Sequence, residues 1–142
     1  MLFGKRERMI QRILVVEDEP LVAFDNEHLL TDAGYEVVAT VDSLAAAREV
    51  IENEELDLVL TDIKLNGDGD GTGVARLAHE RGVAVLFVTG HPDEEVQGLA
   101  LGCLAKPYSE KVLKGALDAL ESHLQGKKLK KLPPQLTLYA SV

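Results

Sequence analysis

A chain of 142 residues, 46% hydrophobic and 27% charged, has the size and composition of one globular domain with a proper core. Its net charge of −9 excludes broad nucleic-acid binding, which needs a basic footprint. No apolar run approaches the ~20 residues of a membrane span, the N-terminus lacks a secretory signal, and a single cysteine, Cys103, forms no internal disulfide, so a cytoplasmic protein is expected.

Residues 1–11 are mixed and charged, and a loose helical lead-in is expected there. Arg12-Ile13-Leu14-Val15-Val16 is a short apolar, β-branched run that ends in Glu17-Asp18-Glu19, the pattern of a buried parallel strand with acids at its carboxyl end. Pro20 suits the first turn of a helix, and Val22, Asn26, Leu29, Leu30 and Ala33 make its inward stripe before Gly34 stops it. Tyr35 to Val41 reads as a second strand, and Ser43 as the cap of a helix through Leu44, Ala47, Val50 and Ile51. Leu58 to Thr61 is a third strand ending in the carboxylate of Asp62.

Lys64 to Gly73 is glycine-rich and reads as loop, followed by a helix from about Val74 to Arg81. Val83 to Val88 is a fourth strand closed by Thr89-Gly90, and Pro92 to Leu101 holds a short helix. Cys103 to Ala105 is a fifth strand closed by Lys106-Pro107. Ser109 caps a last helix whose apolar face is Val112, Leu113, Ala116, Leu117, Leu120 and Leu124. Strand and helix alternate five times, which implies a doubly wound five-stranded parallel sheet in a three-layer α/β sandwich. Residues 126–142, with four lysines and two prolines, read as a flexible or loosely docked tail without an output domain, leaving residues 1–125 as the domain proper.

In a parallel sheet the strand ends share one edge, where open α/β proteins do their chemistry. Glu17, Asp18, Asp62, Thr89 and Lys106 therefore converge. Three carboxylates together need a cation, and an oxygen-only cluster suits Mg²⁺, which keeps several waters and binds through carboxylates and phosphate oxygens. The lysine and hydroxyl opposite would hold the other oxygens of a phosphoryl group.

With the acidic pair Glu17-Asp18, Asp62 placed 44 residues after Asp18, Thr89, and Lys106-Pro107, residues 11–124 resemble the receiver domain of two-component response regulators. The resemblance implies a flavodoxin-like fold and a phosphoryl group passed to Asp62 from a histidine kinase or histidine phosphotransferase. It implies Mg²⁺ held by Glu17, Asp18, Asp62 and the backbone carbonyl of Lys64. Thr89 and Lys106 would bind the phosphoryl oxygens, and Lys106-Pro107 would be cis. A receiver is no conventional enzyme, since it catalyses only its own phosphorylation and slow dephosphorylation.

The chain also departs from the common pattern. Receivers carry an aromatic residue three positions before the lysine, and here that position is Cys103. The 17 residues from Thr89 to Lys106 are about five fewer than usual, which shortens the intervening helix. Leu86 to His91 is similar to the Phe-Ala-Thr-Gly motif of an atypical alphaproteobacterial group that often occurs as stand-alone proteins. The implied function is a single-domain response regulator, monomeric or weakly dimeric, with output by protein–protein contact and no nucleic-acid or membrane partner. The alternatives are a phosphorylation-independent adaptor and a phosphate sink.

Asn66, Asp68, Asp70 and Gly71 mimic the start of a calcium loop, but Leu77 stands where its bidentate Glu belongs. A plain enlarged loop is expected. Lys64 and His91 flank the place of the attacking water and either tune the phosphoryl lifetime or are ordinary surface residues. Cys103 reads as a small buried strand residue rather than a redox sensor.

Overall fold

The computed structural model describes residues 8–65, 70–90, 98–128 and 131–139. Its elements in chain order are β1 (Arg12–Val16), α1 (Pro20–Asp32), β2 (Glu36–Val41), α2 (Leu44–Asn53), β3 (Leu58–Asp62), α3 (Gly71–Glu80), β4 (Ala84–Thr89), β5 (Gly102–Ala105), α4 (Glu110–Leu124) and β6 (Leu136–Leu138).

Five strands are parallel, in the order β2-β1-β3-β4-β5, as the alternation of strand and helix requires. Successive strand residues point to opposite faces, and both faces are covered. Ile13, Val15, Leu58, Leu60, Leu86 and Val88 pack with Leu30 of α1 and Leu113, Ala116, Leu117 and Leu120 of α4. Leu14, Val16, Val59, Val85 and Phe87 pack with Ala47 and Ile51 of α2 and Val74, Ala75 and Ala78 of α3. This explains why β1, β3 and β4 read as unbroken apolar runs. The expected caps form: Ser43 Oγ accepts from the Ala46 amide and Ser109 Oγ from the Val112 amide, each at 3.2 Å.

Three local expectations are corrected. Residues 8–11 are not helical, because the Met9 and Ile10 amides donate to Glu121 of α4 at 2.8 and 2.9 Å, and Ile10 is fully buried. Helix α3 begins at Gly71, three residues earlier than the glycines suggest, because Asp70 accepts from the Thr72 and Gly73 amides at 3.0 and 3.3 Å. That capping duty is also the structural use of Asp70, and the Thr72 hydrogen bond foremost holds its carboxyl below the usual range. The third correction concerns the tail. Leu136–Leu138 is a sixth strand, antiparallel to β5, with Leu136 buried in the core. The expected short helix over residues 92–101 lies mostly outside the described residues, as do His91, Asn66 and Asp68.

Candidate functional site

The strand order reverses direction between β1 and β3, and such a switch point opens a crevice at the carboxyl edge of the sheet. Glu17 follows β1 and Asp62 closes β3, so the two acids flank that crevice. Thr89 closes β4 opposite Ala105, and Lys106 is the first residue beyond β5. The five residues thus leave four neighbouring strands at one level.

One carboxylate oxygen from each of Glu17, Asp18 and Asp62 lies within 4.8 Å of the other two. Glu17 and Asp62 are 2% and 8% exposed, whereas Asp18 is half-buried. Lys106 Nζ reaches across the crevice and donates to Asp62 Oδ2 at 2.8 Å and to Glu17 Oε1 at 2.9 Å. Burial on its own would lower the Lys106 pKa, but the hydrogen bonds to Asp62 and Glu17 outweigh it and raise the value. Burial pushes the Glu17 carboxyl up, against the opposing pull of Lys106. A cluster of three acids, two of them buried, is tolerable because this ammonium sits in it.

The donor set fits Mg²⁺. All three side chains offer oxygen, one of them is half-exposed to admit water, and their spacing allows a single ion to be shared. The Lys64 amide approaches Asp62 Oδ1 at 3.3 Å, which places that stretch of backbone against the Asp62 carboxylate, while its side chain is exposed. Lys106-Pro107 is cis, as the resemblance implied, and the Lys106 amide donates to the Thr89 carbonyl at 2.8 Å. Cys103 is buried, and burial pushes its thiol pKa up, which is the inert strand residue expected.

A receiver family model, the response regulator receiver domain, matches residues 13–118. The chain belongs to that family. It is 36% identical over 97 residues to the TorCAD operon transcriptional regulatory protein TorR of Escherichia coli, covering 66% of this chain and 41% of TorR. It is 33% identical over 92 residues to the phyllosphere-induced regulator PhyR of Methylorubrum extorquens, covering 63% of this chain and 34% of PhyR. The chain therefore spans less than half the length of these regulators. Among solved structures, a CheY-like receiver domain protein from Methanospirillum hungatei superposes with a TM-score of 0.74 at 27% identity, covering 82% of this chain and 98% of that one. Receivers are the signalling modules of two-component systems, not conventional enzymes, and this one carries the acidic cluster of such a module.

Three site-supporting residues escape a reading of the sequence. Gly71 packs so closely that a Cβ there would lie 1.9 Å from the Asp62 carbonyl oxygen, and its amide donates to the Ile63 carbonyl at 2.7 Å. The glycine-rich run was the signal, but not which glycine mattered. Tyr108 donates to buried Asn26, two residues beyond Lys106. Tyr139 packs against the core cluster that contains Cys103, so an aromatic ring reaches that neighbourhood from the tail.

Proposed function

We propose that this receiver takes a phosphoryl group onto Asp62 from the phosphohistidine of a sensor kinase or histidine phosphotransferase, and that its output is protein–protein contact. The observation that carries this reading is the Lys106 ammonium held between Asp62 and Glu17 in a cluster completed by Asp18. An unpaired Asp at a turn needs no such partners.

An Asp62 carboxylate oxygen attacks the phosphorus in line, the P–N bond to the donor imidazole breaks, and the electron pair leaves with the ring nitrogen. The product is an acyl phosphate. Glu17, Asp18, Asp62 and the Lys64 carbonyl would hold Mg²⁺, which when bound neutralises charge that builds on the transferring oxygens. Lys106 pairs with one phosphoryl oxygen and the Thr89 hydroxyl donates to another, so the group is gripped from two strands. Water attack on phosphorus, along the path the imidazole left, restores Asp62 and limits the lifetime of the signal.

Helix α1 supports the docking of a donor. Leu21 and Phe24 are 80% and 65% exposed within two turns of Glu17 and Asp18, and Phe24 stacks on His28 with ring centroids 6.2 Å apart. Large exposed apolar side chains beside a reactive site mark a protein-binding face. No helix among the described residues is long and apolar enough to cross a membrane. The test is incubation with acetyl phosphate and Mg²⁺. Wild type gains one phosphoryl group and Asp62→Asn gains none, whereas equal uptake by the variant would refute the assignment.

A further inference from the structure

Strand β5 stands between the candidate site and the tail. On one side it pairs with β4, which ends in Thr89, and its terminal residue Ala105 lies opposite Thr89. On the other side it pairs with β6, with Gly102 opposite Leu138, Cys103 opposite Thr137 and Leu104 opposite Leu136. The Ala105 amide donates to the Gln135 carbonyl at 3.0 Å, and the Tyr139 amide to the Leu101 carbonyl at 2.9 Å. The tail is therefore fastened one residue from Lys106, whose Nζ bridges Asp62 and Glu17.

This fastening has little slack and a modest hold. A Cβ at Gly102 would lie 2.5 Å from the Thr137 carbonyl oxygen, so the two strands meet as closely as glycine permits. A small shift of β5 therefore costs the tail its register. Leu136 is buried, but Leu138 and Tyr139 are only partly so and Thr137 is exposed. Among the described residues, Gln135 Oε1 is buried without a hydrogen-bond partner, a penalty that release of the tail would remove. At residues 132–134 the tail lies against α4, where a Cβ at Gly115 would stand 3.1 Å from Pro133, and a groove of about 820 Å³ lined by Val112, Gly115 and Ala119 runs beside it.

We propose that residues 131–139 form a detachable edge strand that is seated when Asp62 is unmodified and loosened when it carries a phosphoryl group. The inference rests on the proposed function. A phosphoryl group on Asp62 draws Lys106 away from Glu17 and draws Thr89 toward Asp62, and both displacements act on the end of β5 that Gln135 grips. Loosening uncovers the β5 edge, and an unpaired strand edge accepts an extended segment of a partner protein. Linkage makes the coupling reciprocal: weakening the tail favours the modified state.

The experiment uses the full chain and amide hydrogen exchange with and without Mg²⁺ and beryllofluoride, a phosphoryl mimic. The expected result is exchange faster by about fivefold or more at Ala105 and Tyr139, the two amides that bond across β5 and the tail, with β1 and β2 unchanged. Signals of Asp62 and Ile63 report whether the mimic has bound. Unchanged exchange at these two amides with the mimic in place overturns the inference and leaves the proposed function standing. If the mimic does not bind, the proposed function fails and the inference falls with it. Where the mimic binds, Tyr139→Ala and Leu136→Ala are expected to bind it more tightly than wild type, and equal or weaker binding counts against the coupling.

Discussion

The Tyr108 hydroxyl donates a 3.0 Å hydrogen bond to Oδ1 of Asn26, tying the loop behind Lys106 to the buried face of α1. Burial pushes the Tyr108 pKa up to about 12, so the hydroxyl remains a donor across ordinary pH. Asn26 Nδ2 is already buried without a partner among the described residues. Tyr108→Phe would leave Asn26 with a second unmet group, at a cost of about 1–3 kcal/mol in urea unfolding. Adding Asn26→Leu to Tyr108→Phe is expected to recover most of that loss, because both polar partners then go together.

Removing the charge of Lys106 should separate metal binding from phosphoryl transfer. Its ammonium lies 2.8 and 2.9 Å from two of the three carboxylates that a cation would share. At such range like charges cost several kcal/mol even at an effective dielectric constant of ~20. Lys106→Met is therefore expected to bind Mg²⁺ at least about tenfold more tightly by calorimetry, while its labelling by acetyl phosphate falls. Unchanged Mg²⁺ affinity would mean that the ammonium and the ion do not contend for the same oxygens.

Gly71→Ala tests how closely α3 abuts the site. The new methyl would lie 1.9 Å from the Asp62 carbonyl oxygen, against backbone that cannot rotate away. A loss of about 3 kcal/mol or more is expected, together with slower labelling of Asp62. Gly98→Ala is the control, since among the described residues nothing lies within 4 Å of a Cβ there, and it should leave stability nearly unchanged.

Glu121 gives the fold a defined acid dependence. Burial would raise its pKa, but the Met9 and Ile10 amides hydrogen-bond its carboxylate and bring the pKa below 4.5. A depressed folded-state pKa means stability that is present above 4.5 and lost as pH falls through the folded value. Wild type should exceed Glu121→Gln by about 1–3 kcal/mol at neutral pH. The gap should close on acidification below that range, and a gap independent of pH would contradict the assignment.

The order of elements and the meeting of Glu17, Asp18, Asp62 and Lys106 were legible in the sequence because each signal was local. An apolar run marked each strand, a polar residue marked its end, and parallel topology brought the ends together. What escaped depended on distant partners. Residues 8–11 are shaped by Glu121, more than a hundred positions away, and Asn26 looked like one more member of a helical stripe until Tyr108 was placed against it. Strand β6 has three residues after two prolines, too short for any periodicity, and it exists because β5 offers an edge with a glycine at Gly102. Gly71 was hidden among equivalent neighbours, since nothing local told which glycine would touch the Asp62 backbone.

Chemical mapping of the modified residue decides whether Asp62 accepts the phosphoryl group. Protein treated with acetyl phosphate and Mg²⁺ is reduced with borohydride, which cleaves an aspartyl phosphate to homoserine, and is then digested and sequenced by mass spectrometry. Homoserine is expected at position 62 and nowhere else, with none formed when Mg²⁺ is chelated. Homoserine at position 18, or phosphate recovered on a hydroxyl or histidine side chain with position 62 intact, would contradict it.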